Sequence, residues 1–407
     1  MQHYESYILS SGLRIIHQPT DSHIAYCGFA VNAGTRDENP EYYGIAHFTE
    51  HLLFKGTSKR KSSHIINRME NVGGELNAYT TKEETIIYSI FLQEHFERAF
   101  ELLSDLVFNS RFPENEIEKE REVILDEINS YKDNPAELIF DEFENLLFFG
   151  NEMGHNILGD PETLINTDKK AFLEFYRSFY QPRNVIFFSM GKTPFKKILK
   201  LADKYIDKTT VSKQVGLRRH SPADTLQRFK TDDKDLCQKH IMIGTRAYNM
   251  FDKKRTSLFL LNNILGGPGM NSRLNLSMRE KSGLVYNVES NITSYTDTGV
   301  FAIYFGCDPK SVEKCIFLVY KELKRLREIK LTDIQLETAK KQLKGQLGIA
   351  NENKENISLS MGKSFLHRNH YDNLEKIYRK IDDLSAIQLL ETANEIFDEN
   401  TLSRLIY

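Results

Sequence analysis

Residues 44–57 read Gly44-Ile45-Ala46-His47-Phe48-Thr49-Glu50-His51-Leu52-Leu53-Phe54-Lys55-Gly56-Thr57. The apolar periodicity predicts a helix from Ile45 to about Phe54. On such a helix, positions 47 and 51 lie one turn apart, so both imidazoles leave the same face and can share a metal, and Glu50 borders that face. A hydrolytic zinc centre needs this set: two neutral nitrogen ligands and an adjacent carboxylate to serve as base for the metal-bound water. The order is H-x-x-E-H, the inverse of the commoner H-E-x-x-H. A helix carrying unrelated histidines has the same spacing, so the rest of the chain must supply the remaining ligand.

A catalytic zinc usually takes three protein ligands and keeps one position for water. The stretch from Glu116 to Ile128 is rich in carboxylates, and helical geometry sorts them. Ile117, Ile124 and Ile128 define an inward stripe. Glu120 and Glu127, seven apart, run along its edge, while Glu118 and Glu122 point away. A carboxylate beside an apolar face needs a reason. Metal ligation by Glu127, with Glu120 one layer behind it, supplies one; without the H-x-x-E-H motif, each would read instead as a snorkelling surface glutamate of a charged helix.

Further out, Leu13–His17 and Tyr26–Val31 read as strands, Leu76–Phe91 as a β segment, and Glu94–Val107 and Glu114–Tyr131 as helices. Tyr180–Arg183 is a breaker ahead of a buried strand at Val185–Phe188. A polar stretch from Lys208 to about Asp235 reads as a linker. Beyond it the order starts again: strand His240–Ile243, helix Ser257–Leu265, strands near Val285–Val288 and Val300–Phe305, and helices Val312–Leu326 and Asp333–Leu347. Tyr88-Ser89-Ile90-Phe91 lines up with Phe301-Ala302-Ile303-Tyr304. The expectation is a duplicated α+β chain: residues 1–210 as a metal-binding domain, 211–235 as linker, and 236–407 as a similar domain without metal. The corresponding second helix, Ser257–Leu265, contains no His, Asp, Glu or Cys, so one zinc per chain is expected.

Composition narrows the function classes. A chain of 407 residues with 40% hydrophobic and 27% charged residues is long enough for two domains and should fold throughout. Lys+Arg 54 against Asp+Glu 57 leaves a net charge of -3, which offers no global basic field for nucleic acid or an anionic membrane. Cys27, Cys237, Cys307 and Cys315 show no Cys-x-x-Cys pair and read as buried free thiols. No basic-then-apolar leader opens the sequence and no apolar run approaches ~20 residues, so the chain is expected to be soluble and cytoplasmic. Gly266–Gly269 looks like a phosphate loop but lacks the Gly-Lys-Ser/Thr ending, which argues against nucleotide binding.

Residues 44–57 closely resemble the zinc-helix signature of the pitrilysin and mitochondrial-processing-peptidase family, the inverzincins. Similarity recurs at Leu76-Asn77-Ala78-Tyr79-Thr80, at Tyr180-Gln181-Pro182-Arg183-Asn184, and in the second half at Leu265–Leu274 and Arg279–Tyr286. Pro268 departs from what is more often an uninterrupted glycine run. The resemblance implies two α/β-sandwich domains, each a mostly antiparallel sheet covered by helices. It also implies a short-chain member in which two chains close like a clamshell. Zn2+ would be held by His47, His51 and Glu127, with Glu50 as base and Glu120 as an accessory glutamate. An edge strand including Gly74, Asn77, Ala78 and Tyr79 would bind an extended peptide by β-augmentation, and Arg279 and Tyr286 would donate hydrogen bonds to substrate. The implied activity is zinc-dependent endopeptidase action on unfolded or presequence-like peptides, by a homodimer or, alternatively, a heterodimer. Two other readings are a non-catalytic scaffold or binding subunit of the same fold in a heteromeric protease, and a metal-binding regulatory protein without turnover. The intact His47, Glu50, His51 and Glu127 argue against the scaffold reading.

Overall fold

A computed structural model describes residues 4–206, 219–222, 226–232, 234 and 236–407. In the first half, strands β1 (Glu5–Ile8), β2 (Arg14–Pro19) and β3 (Ile24–Val31) precede helices α1 (Ile45–Leu53) and α2 (Ser62–Glu70). Then come β4 (Glu75–Thr80), β5 (Thr85–Leu92), α3 (Phe96–Asn109), α4 (Glu114–Lys132), α5 (Pro135–Leu147), α6 (Pro161–Asn166), α7 (Lys169–Phe179), β6 (Val185–Gly191) and α8 (Phe195–Tyr205). The second half runs β7 (Phe229–Thr231), β8 (Lys239–Ala247), α9 (Arg255–Gly266), β9 (Val285–Ser294), β10 (Gly299–Cys307), α10 (Val312–Glu328) and α11 (Asp333–Ala350). It ends with α12 (Lys354–Arg368), α13 (Leu374–Asp382), α14 (Ala386–Ile396) and β11 (Ser403–Ile406).

These elements build two sheets of matching topology. The first has the order β1-β2-β6-β3-β5-β4, the second β7-β11-β8-β10-β9. In the first, β3 is antiparallel to both β5 and β6, and β2 is parallel to β6. In the second, β8 is antiparallel to both β10 and β11, and β7 is parallel to β11. The aligned segments Tyr88–Phe91 and Phe301–Tyr304 fall on β5 and β10, which hold the same place beside the edge strands β4 and β9. The duplicated α+β architecture is thus present.

Both faces of each sheet are buried, which explains why the inner strands read as near-continuous apolar runs. Along the first sheet Ile15, Phe29, Ile87 and Phe187 enter the core shared with α1, α3, α4 and α7. Their neighbours Ile16, Ala30, Ile86 and Phe188 turn to the opposite face, as strand geometry requires, and meet Met361 and Phe365 of α12. Gly362 permits that approach, since a Cβ there would lie 2.7 Å from the Phe188 ring. In the second sheet Ile241, Ile243, Phe301 and Ile303 face α9, α10 and α14, while Met242, Ala302 and Tyr304 face Leu138, Ile139 and Phe143 of α5.

The compact units therefore differ from a division at 210/236. The first comprises Met1–Asn129, His155–Arg219 and Asn353–Tyr371; the second comprises Ser130–Gly154, His220–Glu352 and Asp372–Tyr407. Each half of the chain gives one helix to the other unit, because each sheet needs a second apolar cover and the helix that supplies it comes from the distant half. Much of the linker expected over 211–235 lies outside the described residues. Its described part includes the short exposed strand β7, and Arg219, whose guanidinium pairs with Asp37 at 2.8–2.9 Å in the first unit. Cys27, Cys307 and Cys315 are buried free thiols as expected; Cys237 is exposed instead.

Candidate active site

Helix α1 begins at Gly44, whose φ of 96° is left-handed and whose Cβ, if present, would lie 2.7 Å from the Leu158 carbonyl oxygen. Gly44 has no side chain to cap the helix, so the buried Glu38 carboxylate takes that place, accepting from Gly44 N at 2.9 Å and Ala46 N at 2.8 Å. Glu38 is held in turn by His155 Nε2 at 2.9 Å. Ile45, Phe48, Leu52 and Leu53 anchor the helix in the core, with the Phe48 ring edge-on to Phe172 of α7 at 4.7 Å. This packing leaves His47, Glu50 and His51 on the face toward α4 and β4.

Helix α4 buries Ile117, Ile124 and Ile128, as its period requires, and Glu120 is buried beside them. The same helix brings Glu127 to the two histidines. Glu127 Oε2 is 3.9 Å from His47 Nε2 and 3.8 Å from His51 Nε2. The donor atoms of these three residues all lie within 4.8 Å of one another, the single grouping of at least three His, Cys, Asp or Glu among the described residues that could hold a metal. Ligands at zinc distances of about 2.0–2.2 Å in tetrahedral array would stand about 3.3 Å apart. The two separations from Glu127 to the histidines, 3.9 and 3.8 Å, exceed that spacing by about half an ångström. The donor chemistry, two imidazole nitrogens and a carboxylate gathered within 4.8 Å, fits Zn2+.

Charge states favour the same use. Burial, followed by the neighbouring His51, pulls the His47 pKa down to about 3, so its imidazole is neutral at physiological pH and keeps a lone pair for a metal. His51 Nδ1 is 3.1 Å from Glu120 Oε2, which marks Nδ1 as the protonated nitrogen and leaves Nε2 facing Glu127. Glu120 also takes Lys55 Nζ at 2.6 Å. It thus sits behind His51 rather than in the ligand grouping. Glu50 is 8% exposed, and burial raises its pKa; the Glu127 charge adds to the rise, while a hydrogen bond from Thr80 and the charge of His51 oppose it. A carboxylate moved toward neutrality is a stronger base than a free one.

The edge strand β4 lies against α1, and its alternation decides what it presents. Leu76 and Ala78 pack on the core shared with α1, and Thr80 Oγ1 donates to Glu50 Oε2 at 2.8 Å. Tyr79 points to the opposite face, toward Tyr88. Asn77, one period from Tyr79, shares that face. What Asn77, Ala78 and Tyr79 have in common is a main chain paired on one side only, to β5. Gly74 sits in the turn just ahead of the strand. In the second unit, Tyr286 on β9 is 85% exposed, and the Arg279 guanidinium lies 5.8 Å from its ring centroid.

Sequence reasoning missed Thr80 as the partner of Glu50, Lys55 as that of Glu120, and Glu38 with His155 as the support of α1. Lys55 carried a local signal, standing one helical turn after His51. Glu38 stands six and eight residues before the amides it accepts from, while Thr80 and His155 are brought in by contacts across 30 and 117 residues, which no local pattern records.

Comparison with known proteins shows the family to which the chain is similar. Residues 14–161 match the insulinase (peptidase family M16) domain, and residues 166–343 match the peptidase M16 inactive domain. An uncharacterized zinc protease of Rickettsia bellii is 33% identical over 98% of this chain and 96% of its own length. The uncharacterized zinc protease YmxG of Bacillus subtilis is 30% identical over 98% of this chain and 97% of its own. The bovine mitochondrial-processing peptidase subunit beta is 29% identical over 96% of this chain and 82% of its own. A protease from Helicobacter pylori shares the fold at 21% identity, with a TM-score of 0.89 over 99% of this chain and 98% of its own.

Proposed function

Because the chain belongs to the insulinase (M16) peptidase family, we propose that it is a zinc metalloendopeptidase that hydrolyses extended, unfolded or presequence-like peptides. The observation that carries this reading is the convergence of His47 Nε2, His51 Nε2 and Glu127 Oε2 beside the buried carboxylate of Glu50. A Zn2+ ion held by those three residues would acidify water and polarise the scissile carbonyl. Glu50 takes the proton of the attacking water and returns it to the departing amine. Glu120 holds His51 in the tautomer that frees Nε2. The one-sided main chain of β4 offers hydrogen bonds to an added peptide strand, a mode that selects extended backbone over particular side chains. The complete ligand set and the intact Glu50 weigh against a non-catalytic scaffold.

The working form in this proposal is a homodimer in which Arg279 and Tyr286 of the partner subunit donate to substrate carbonyls, and the site of action is the cytoplasm. No helix among the described residues is long and apolar enough to cross a membrane. The test of the activity is direct: purified protein should carry close to one zinc per chain, cleave an unstructured quenched-fluorescence peptide, lose cleavage on chelation and regain it with Zn2+. A protein that binds no zinc, or binds zinc without cleaving any unstructured peptide, would refute the reading.

A further inference from the structure

We propose that Thr80 is a positioning residue that selects which oxygen of Glu50 works as the base. The inference rests on the reading of Glu50 as that base. Thr80 Oγ1 lies 2.8 Å from Glu50 Oε2, and among the described residues it is the one hydrogen-bond partner of this nine-tenths-buried carboxylate. A hydroxyl has a single proton to give. Thr80 Oγ1 also approaches Thr85 Oγ1, at 3.4 Å, but the Thr85 proton is committed to the Ala33 carbonyl at 3.0 Å. The Thr80 proton therefore goes to Oε2, the stronger acceptor, and Oε1 is left free to receive a proton from water.

Position strengthens the assignment. Thr80 is the last residue of β4, on the face turned to α1, and Thr80 and Thr85 stand opposite each other where β4 and β5 meet their connecting turn. β-Branching restricts the Thr80 side-chain rotamer, so the hydroxyl is presented to Glu50 at little entropic cost. Base and substrate strand are thereby joined by one side chain: a peptide lying along β4 would be bound to the element that orients the carboxylate acting on it.

Thr80→Val keeps the branched shape and removes the donor. It should lower kcat by about 10- to 100-fold, less than the 10²–10⁴ that a whole general base supplies, with KM and zinc content little changed. Thr80→Ser, which restores the donor, should recover most of kcat; a role in packing alone would move kcat no further than the melting temperature explains. Should Thr80→Val fold poorly, Thr80→Ser against Thr80→Ala provides the same contrast. A readout independent of turnover uses chelator-stripped protein: Thr80→Val should lower the melting temperature in the wild-type background and do so much less in Glu50→Ala, since the lost bond is already absent there. Additive melting shifts, or wild-type kcat in a zinc-loaded Thr80→Val protein, would overturn the assignment of Thr80 alone. A wild-type protein that neither holds zinc nor cleaves peptide would overturn the reading of the site, and this inference with it.

Discussion

At the residue scale, the site separates groups by how deeply each is buried. His47 and Glu50 are both 8% exposed, whereas the Glu127 side chain is 44% exposed. Burial makes His47 a neutral ligand and Glu50 a reluctant anion, and leaves Glu127 free to swing toward an ion. Glu50→Gln should therefore keep zinc and fold normally while nearly abolishing hydrolysis, because the amide preserves size and cannot take a proton. Substantial residual turnover at neutral pH would assign the base elsewhere. Alanine at His47, His51 or Glu127 should strip the metal, while Glu118→Ala, on the exposed face of α4, should retain it; elemental analysis distinguishes them. Full zinc occupancy in Glu127→Ala would remove it from the ligand set. His47, Glu50 and His51 were legible because one helical turn relates them. Thr80 was not, because its contact with Glu50 exists only once β4 lies against α1.

At the scale of the element, two helices depend on buried carboxylates that lie outside them, one just ahead in the chain and one far from it. Glu38 satisfies two amides at the start of α1 and one nitrogen of His155. Glu38→Ala would leave those donors unpaired and should cost about 1–3 kcal/mol in denaturant unfolding. A change within about 0.5 kcal/mol would show that water replaces the carboxylate without loss. Helix α12 is tied to the first sheet by Glu84, which binds Lys363 Nζ at 2.5 Å and His367 Nε2 at 2.9 Å. Burial alone would raise the Glu84 pKa, but His367 and Lys363 outweigh it and bring it from 4.5 to about 2. A carboxyl whose pKa is depressed on folding contributes stability above its unfolded value of 4.5 and loses it as pH falls through about 2. Acid unfolding of the wild type should thus steepen across that window. Glu84→Gln should be less stable at neutral pH and flatter there; an unchanged acid profile would deny the tie its role.

At the scale of the whole molecule, the metal ligands fall in the first compact unit and the Arg279/Tyr286 pair in the second. The proposed homodimer would put zinc and that pair on opposite subunits, and mixing two inactive variants tests it. Glu50→Gln and the double variant Arg279→Ala with Tyr286→Phe should each be inactive; exchange of their subunits should restore activity through one intact hybrid site. No recovery would mean that each chain serves its own zinc, or that the protein works as a monomer. Sequence alone determined what short-range periodicity and composition can hold: the α1 face, the α4 stripe, the inner strands and the repeat that pairs β5 with β10. Those patterns are imposed within a few residues by helix and strand geometry. Tertiary structure decided which helix covers which sheet. Met361 and Phe365 of α12 cover the first sheet and Leu138 and Phe143 of α5 the second, each from the distant half of the chain, a pairing no local pattern records. It likewise decided the contacts of Glu38 with His155 and of Glu50, Glu84 and Glu120 with their partners, because a buried carboxylate must be paired by whatever donor the completed fold brings near, however far away in the chain.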